Sequence, residues 1–98
     1  MAKTRRARCC TYCHRTLTDP MKGGSTAATR DHVAPKSAGG WRTVRCCRAC
    51  NEVKGNMMPD QWVEFMRETP EWWRLYKLTG LRGMKLYTAL LITRRTDP

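Results

Sequence analysis

Asp31 and His32 stand side by side in the run Arg30-Asp31-His32-Val33-Ala34-Pro35. A histidine that is neutral near pH 7 can take a proton from water. A carboxylate can hold a hard cation such as Mg²⁺ or Mn²⁺, which takes few oxygens from protein and leaves the remaining positions to phosphate and water. Asn51, directly after Cys47-Arg48-Ala49-Cys50, offers a second such oxygen. Phosphodiester hydrolysis needs this combination: a base for water, a cation against the charge building on the phosphoryl oxygens, and a proton for the leaving oxygen. Taken singly, His32 reads as a satisfied core or surface histidine, and Asp31 and Asn51 as turn or capping residues. Their order, framed by two Cys-x-x-Cys pairs, favours the catalytic reading.

Four thiolates complete a closed tetrahedral zinc site, and the pairs Cys10/Cys13 and Cys47/Cys50 would cross-link distant parts of the chain. Cys9 and Cys46 are out of register, because three residues after them stand Tyr12 and Ala49. The basic stretch Met1 to Arg8 runs into Cys9 and Cys10 instead of an apolar segment, so it does not read as a secretory signal. A cytoplasmic location is expected, where paired Cys-x-x-Cys spacing argues for metal over disulfides. Cys10-Thr11-Tyr12-Cys13-His14 also satisfies the haem-attachment pattern, but that reading leaves the second pair without a role. His14 is expected to be solvated or locally bonded.

A chain of 98 residues is a single small domain that benefits from such a staple. Its 19 basic residues against 8 acidic give a net charge of +11, which attracts polyanions and makes DNA the first candidate partner. No apolar run is long enough for a membrane span. Arg30 and Lys36 flank the acid–histidine pair, and Arg48 and Lys54 follow on the second knuckle and its helix. As a group they fit a basic DNA-contacting surface, although each singly fits a solvated charge equally well. The arm 1–8 is expected to be flexible, either meeting phosphates or serving as a solubilising tail.

These groups need elements to position them. Thr29 to Val33 reads as a strand ending before Pro35, Lys36 to Gly40 as a turn, and Trp41 to Cys46 as the returning strand. A helix starting near Cys50 or Asn51 and ending at Gly55 completes a strand–strand–helix unit. Pro59 marks a second helix start, with Trp62, Phe65 and Met66 on one face. Thr69-Pro70-Glu71 reads as a third start, with Trp72, Tyr76, Leu75 and Leu78 on the buried side before Gly80. Met84, Tyr87, Leu90 and Leu91 follow helical spacing after Gly83. The tryptophans, Trp41 included, are expected in the core.

Cys10-x-x-Cys13, Asp31-His32-Val33-x-Pro35, Gly39-Gly40 and Cys47-x-x-Cys50-Asn51-x-x-Lys54-Gly55-Asn56 together resemble an HNH endonuclease of the ββα-metal class with a four-cysteine zinc site. The resemblance covers residues 9–58. It implies an α+β fold in which a zinc-bound hairpin and helix form the core, with residues 59–98 as a helical extension. It also implies His32 as general base, Asp31 and Asn51 as ligands of one catalytic Mg²⁺ or Mn²⁺, and a 5′-phosphate product. Two positions depart from the family pattern: Asn51 stands where histidine also occurs, and Arg42 stands where the family often has a loop-holding asparagine. A DNA-binding zinc module without catalysis is the alternative. The resemblance also allows a structural partner of a larger DNA machine, such as a phage terminase or packaging complex.

Overall fold

The computed structural model describes residues 8–96, with no account of the side chains of Ala38 and 93–96. The expected arm therefore lies outside the described residues except for Arg8, as do the Arg94 and Arg95 side chains. Two antiparallel strands, β1 (Ala28–His32) and β2 (Thr43–Cys47), pair with Thr29 opposite Cys46, Asp31 opposite Val44 and His32 opposite Thr43. Their β-branched residues suit a pleated, half-buried surface. Backbone bonds close the connecting loop: Val33 N donates to Arg42 O at 2.9 Å, and Gly40 N to Pro35 O at 3.1 Å. Gly40 passes so close to the Ala34 carbonyl oxygen that a Cβ would overlap it. The main chain thus braces the loop that carries Arg42.

Helix α1 (Arg48–Lys54) begins before the expected Cys50 or Asn51 because Cys47 caps it, its Sγ accepting from Cys50 N at 3.4 Å. Arg48 N and Ala49 N, which have no intrahelical acceptor, donate to Ala27 O at 2.9 Å and Ser25 O at 3.0 Å. The helix stops at Gly55 (φ 48°), whose N–H reaches Asn51 O at 3.0 Å. That stop is the one expected, since a positive φ favours glycine.

Helix α2 (Pro59–Glu68) carries Pro59 in its first turn and buries Trp62 and Phe65. Thr69 does not start the next helix. It terminates α2 in an extended conformation, as expected of a residue before proline, and Glu71 then turns the chain through a left-handed conformation. A 3₁₀ turn, Trp72–Arg74, leads into α3 (Leu75–Thr79), and after Gly80 the chain continues into α4 (Gly83–Thr96). In α4 Leu86 is fully buried, and Met84, Tyr87 and Leu90 pack against the same core.

The core joins the cysteines to the helices: Cys10, Cys47 and Cys50 lie in one apolar cluster with Val53, Met57, Trp62, Phe65 and Leu86. Trp62 sits edge-on to both Tyr12 (5.2 Å) and Trp72 (6.2 Å). Two expected core residues lie outside it. Trp41 is 84% exposed, because it belongs to the loop and the ladder resumes only at Thr43. Leu78 is 75% exposed, because the short α3 turns only its Leu75 and Tyr76 side toward the core.

Candidate metal centre and active site

Cys10 and Cys13 come from the N-terminal knuckle, Cys47 from the end of β2 and Cys50 from the first turn of α1. Their four sulfurs lie within 4.8 Å of one another, with Cys13 and Cys47 Sγ 3.8 Å apart. Thiolates around zinc at about 2.3 Å stand about 3.8 Å from each other in a tetrahedron, so the four could hold a zinc ion. Cys9, exposed, and Cys46, buried, fall outside the cluster, as the spacing requires. Burial pushes the Cys46 thiol up to about 12, so it remains neutral and inert at pH 7.

Each sulfur of the cluster has an N–H donor. Tyr12 N and Cys13 N donate to Cys10 Sγ (3.3 and 3.4 Å), and Cys50 N donates to Cys47 Sγ. The Arg15 guanidinium bridges two sulfurs, Nε to Cys13 at 3.2 Å and Nη2 to Cys47 at 3.4 Å, while Trp72 Nε1 reaches Cys50 Sγ at 3.2 Å. Hydrogen bonds from Cys47 and Cys50 draw the Cys10 thiol far below its ordinary range, while the same network drives Cys50 up. Thiols this close cannot all ionise together, and the charge of a dication removes that conflict. His14 stays outside the cluster, exposed, with its backbone N–H on Cys10 O.

Helix α1 crosses the face of β1 that carries Thr29 and Asp31. Asn51 Nδ2 donates to Thr29 Oγ1 (3.2 Å) and Arg30 O (3.4 Å). One turn on, Lys54 Nζ lies 3.0 Å from Asp31 Oδ2 and donates to His32 O at 2.9 Å. The repeat follows from geometry: two residues along a strand advance about 6.6 Å and three along a helix about 4.5 Å, so successive pairs meet at the crossing. Tyr12 Oη also donates to Asp31 Oδ2, at 2.7 Å. Desolvation, then the hydrogen bond to Asp31, raises the Tyr12 phenol above its ordinary range and keeps it a donor. The ladder holds its register through His32, the last residue of β1. Strand alternation therefore sends the Asp31 and His32 side chains to opposite faces, and both can address one ligand only over the strand's end.

Lys54 is not the outward phosphate contact expected of it. Its side chain is 1% exposed and its ammonium is committed to Asp31 and the His32 carbonyl. Arg30 and Lys36 are exposed, Arg30 with Nη1 on Thr43 Oγ1 at 3.2 Å. Arg48 is exposed and paired with Glu52 at 3.3 Å. Sequence reasoning missed three partners: Tyr12 on Asp31, Arg15 on Cys13 and Cys47, and Trp72 on Cys50. Arg15 and Tyr12 lie within two residues of cysteines, a proximity that could have flagged them; Trp72 carries no such signal.

The knuckles, the hairpin and α1 define a zinc-finger-like α+β unit, and the family model of the HNH endonucleases matches residues 10–65, from the first cysteine of the cluster to Phe65. That span exceeds half of the chain, and the chain belongs to the HNH endonuclease family. Neither the curated proteins nor the solved structures contain a significant match to it. No helix among the described residues is long and apolar enough to cross a membrane.

Proposed function

We propose that this chain is a metal-dependent DNA endonuclease whose working parts are positioned by a structural zinc ion on Cys10, Cys13, Cys47 and Cys50. The observation that carries the reading is the crossing of α1 over β1. It sets Asn51 and Asp31 on facing elements, with His32 next in the chain at the strand's end. His32 takes a proton from the attacking water, whose oxygen bonds to phosphorus as the bond from phosphorus to O3′ breaks. The leaving oxygen takes a proton from solvent, and the product keeps a 5′-phosphate. Asp31 and Asn51 would hold Mg²⁺ or Mn²⁺, which when bound supplies positive charge against the phosphoryl oxygens. Arg30, Lys36 and Arg48 supply exposed cations for the DNA backbone.

One observation favours the alternative, a zinc module that binds DNA without cutting it: Asp31 Oδ2 is already engaged by both Lys54 and Tyr12. Supercoiled plasmid separates the two readings. With zinc-loaded protein and added Mg²⁺ or Mn²⁺, the nuclease produces nicked or linear DNA, and with those ions omitted it does not. Retarded but uncut plasmid under every condition identifies the binding module.

A further inference from the structure

A groove of about 780 Å³ opens beside the first turn of α1, and none of Asp31, His32 and Asn51 lines it. Its walls are the Gly24-Ser25 loop, the first turn of α1 and the segment from Trp73 to Leu78. With about 3.6 residues per turn, Arg48 and Glu52 fall on one side of α1 and Lys54, which meets Asp31, well round from them, with Asn51 between. Whatever lies in this groove is not at Asp31.

Its lining combines charge and rings. Arg15, Arg48, Arg74 and Lys77 line it together with Trp73 and Tyr76, and Glu52 is the one acid among the lining residues. Glu52 is paired with Arg48 at 3.3 Å, and Arg74 with Glu71 at 3.5 Å. Both bridges involve substantially exposed guanidinium groups, and such surface pairs contribute so little that a phosphate can displace the carboxylate. Arg15, fixed on the cysteine sulfurs, lies over the Trp73 ring, 4.9 Å from its centre, and so ties that ring to the knuckle.

We propose that this groove binds single-stranded nucleic acid, with phosphates on Arg48, Arg74 and Lys77 and unstacked bases against Trp73 and Tyr76. Cations that track a backbone beside aromatic rings are the recurring means of holding a single strand, because every base has a stackable face. A duplex keeps its bases stacked on each other and cannot offer those faces. Nor does a stiff duplex seated at Asp31 bend readily into a groove that Asp31 does not line, whereas a flexible flap or overhang can reach it. The inference rests on the DNA-directed reading above and refines it: the preferred substrate carries a single-stranded segment beside its duplex.

Fluorescence anisotropy tests the proposal with full-length, zinc-loaded protein and no added Mg²⁺ or Mn²⁺, so that cleavage plays no part. The probes are labelled oligothymidylate of about 15 nucleotides and a duplex of equal length. Arg74→Glu with Lys77→Glu is compared with Arg82→Glu with Lys85→Glu, a pair of equal charge change placed elsewhere. All four positions are exposed. The groove variant is expected to lose about tenfold in oligothymidylate affinity, with a salt slope shallower by about 1.4 for two lost phosphate contacts. The comparison variant loses much less, and both retain equal duplex affinity. Equal loss in the two variants, equal loss for oligothymidylate and duplex, or equally tight binding of an oligoglutamate overturns the groove assignment. Normal duplex binding without oligothymidylate binding overturns it alone, while failure of the unaltered protein to bind either DNA overturns the DNA-directed reading as well.

Discussion

A lysine three residues after Asn51, read from helix spacing alone, is as suited to solvent as to the interior. What decides its place is the strand beneath: Asp31 projects from β1 at the height of the helix's last turn, and a buried carboxylate requires a counter-charge. The structure thus has a protein cation where the proposed mechanism has a divalent ion, and the two roles are separable by mutation. Lys54→Met keeps the apolar stem and removes the charge, leaving Asp31 with Tyr12 alone. Loss of one partner of a buried pair costs about 3 kcal/mol, and thermal unfolding should register a fall of that order. If Asp31 is also an ion ligand, Mn²⁺ should raise the melting temperature of Lys54→Met more than that of the unaltered protein, because binding to the folded state stabilises it. Equal shifts in the two proteins contradict a ligand role for Asp31.

At the scale of elements, the cysteine register was legible because metal spacing is a local property, and the structure gathers the same four sulfurs. The hairpin and the Gly55 stop were legible for the same reason: alternation and a glycine cap are written in adjacent residues. The start of α1 was not, because a cysteine sulfur does the work usually given to Ser, Thr or Asp at a helix cap. Trp41 and Leu78 show the limit of composition, since a large apolar side chain names a preference for burial but not the neighbour that would cover it. Trp72 was assigned to packing, and it does pack, but its indole N–H also ties the segment after α2 to Cys50. Trp72→Phe keeps an aromatic ring at the position and removes that donor. Because loss of an outer hydrogen bond typically weakens a metal site, zinc transfer to a chromophoric chelator should become easier by about tenfold, with the circular dichroism spectrum unchanged. Identical zinc retention in the two proteins contradicts a role for Trp72 at the metal.

Across the whole molecule, the four-cysteine cluster lies inside the core instead of beside it: Cys10, Cys47 and Cys50 share one apolar cluster with Trp62, Phe65 and Leu86. Binding an ion there would therefore be coupled to packing the later helices on the core. In this basic chain of 98 residues, α1 thus stands between the strand that carries Asp31 and a cationic, aromatic groove beside its first turn. The net charge of +11 favours DNA binding whether or not catalysis follows, so affinity alone does not establish the nuclease. The most direct measurement is the rate of plasmid nicking by the full chain and by His32→Ala, at equal zinc content and with the same Mg²⁺ or Mn²⁺. Removal of a general base predicts a loss of at least about a hundredfold in rate, with plasmid binding and zinc retained. Nicking by His32→Ala at the rate of the unaltered protein would contradict the central claim.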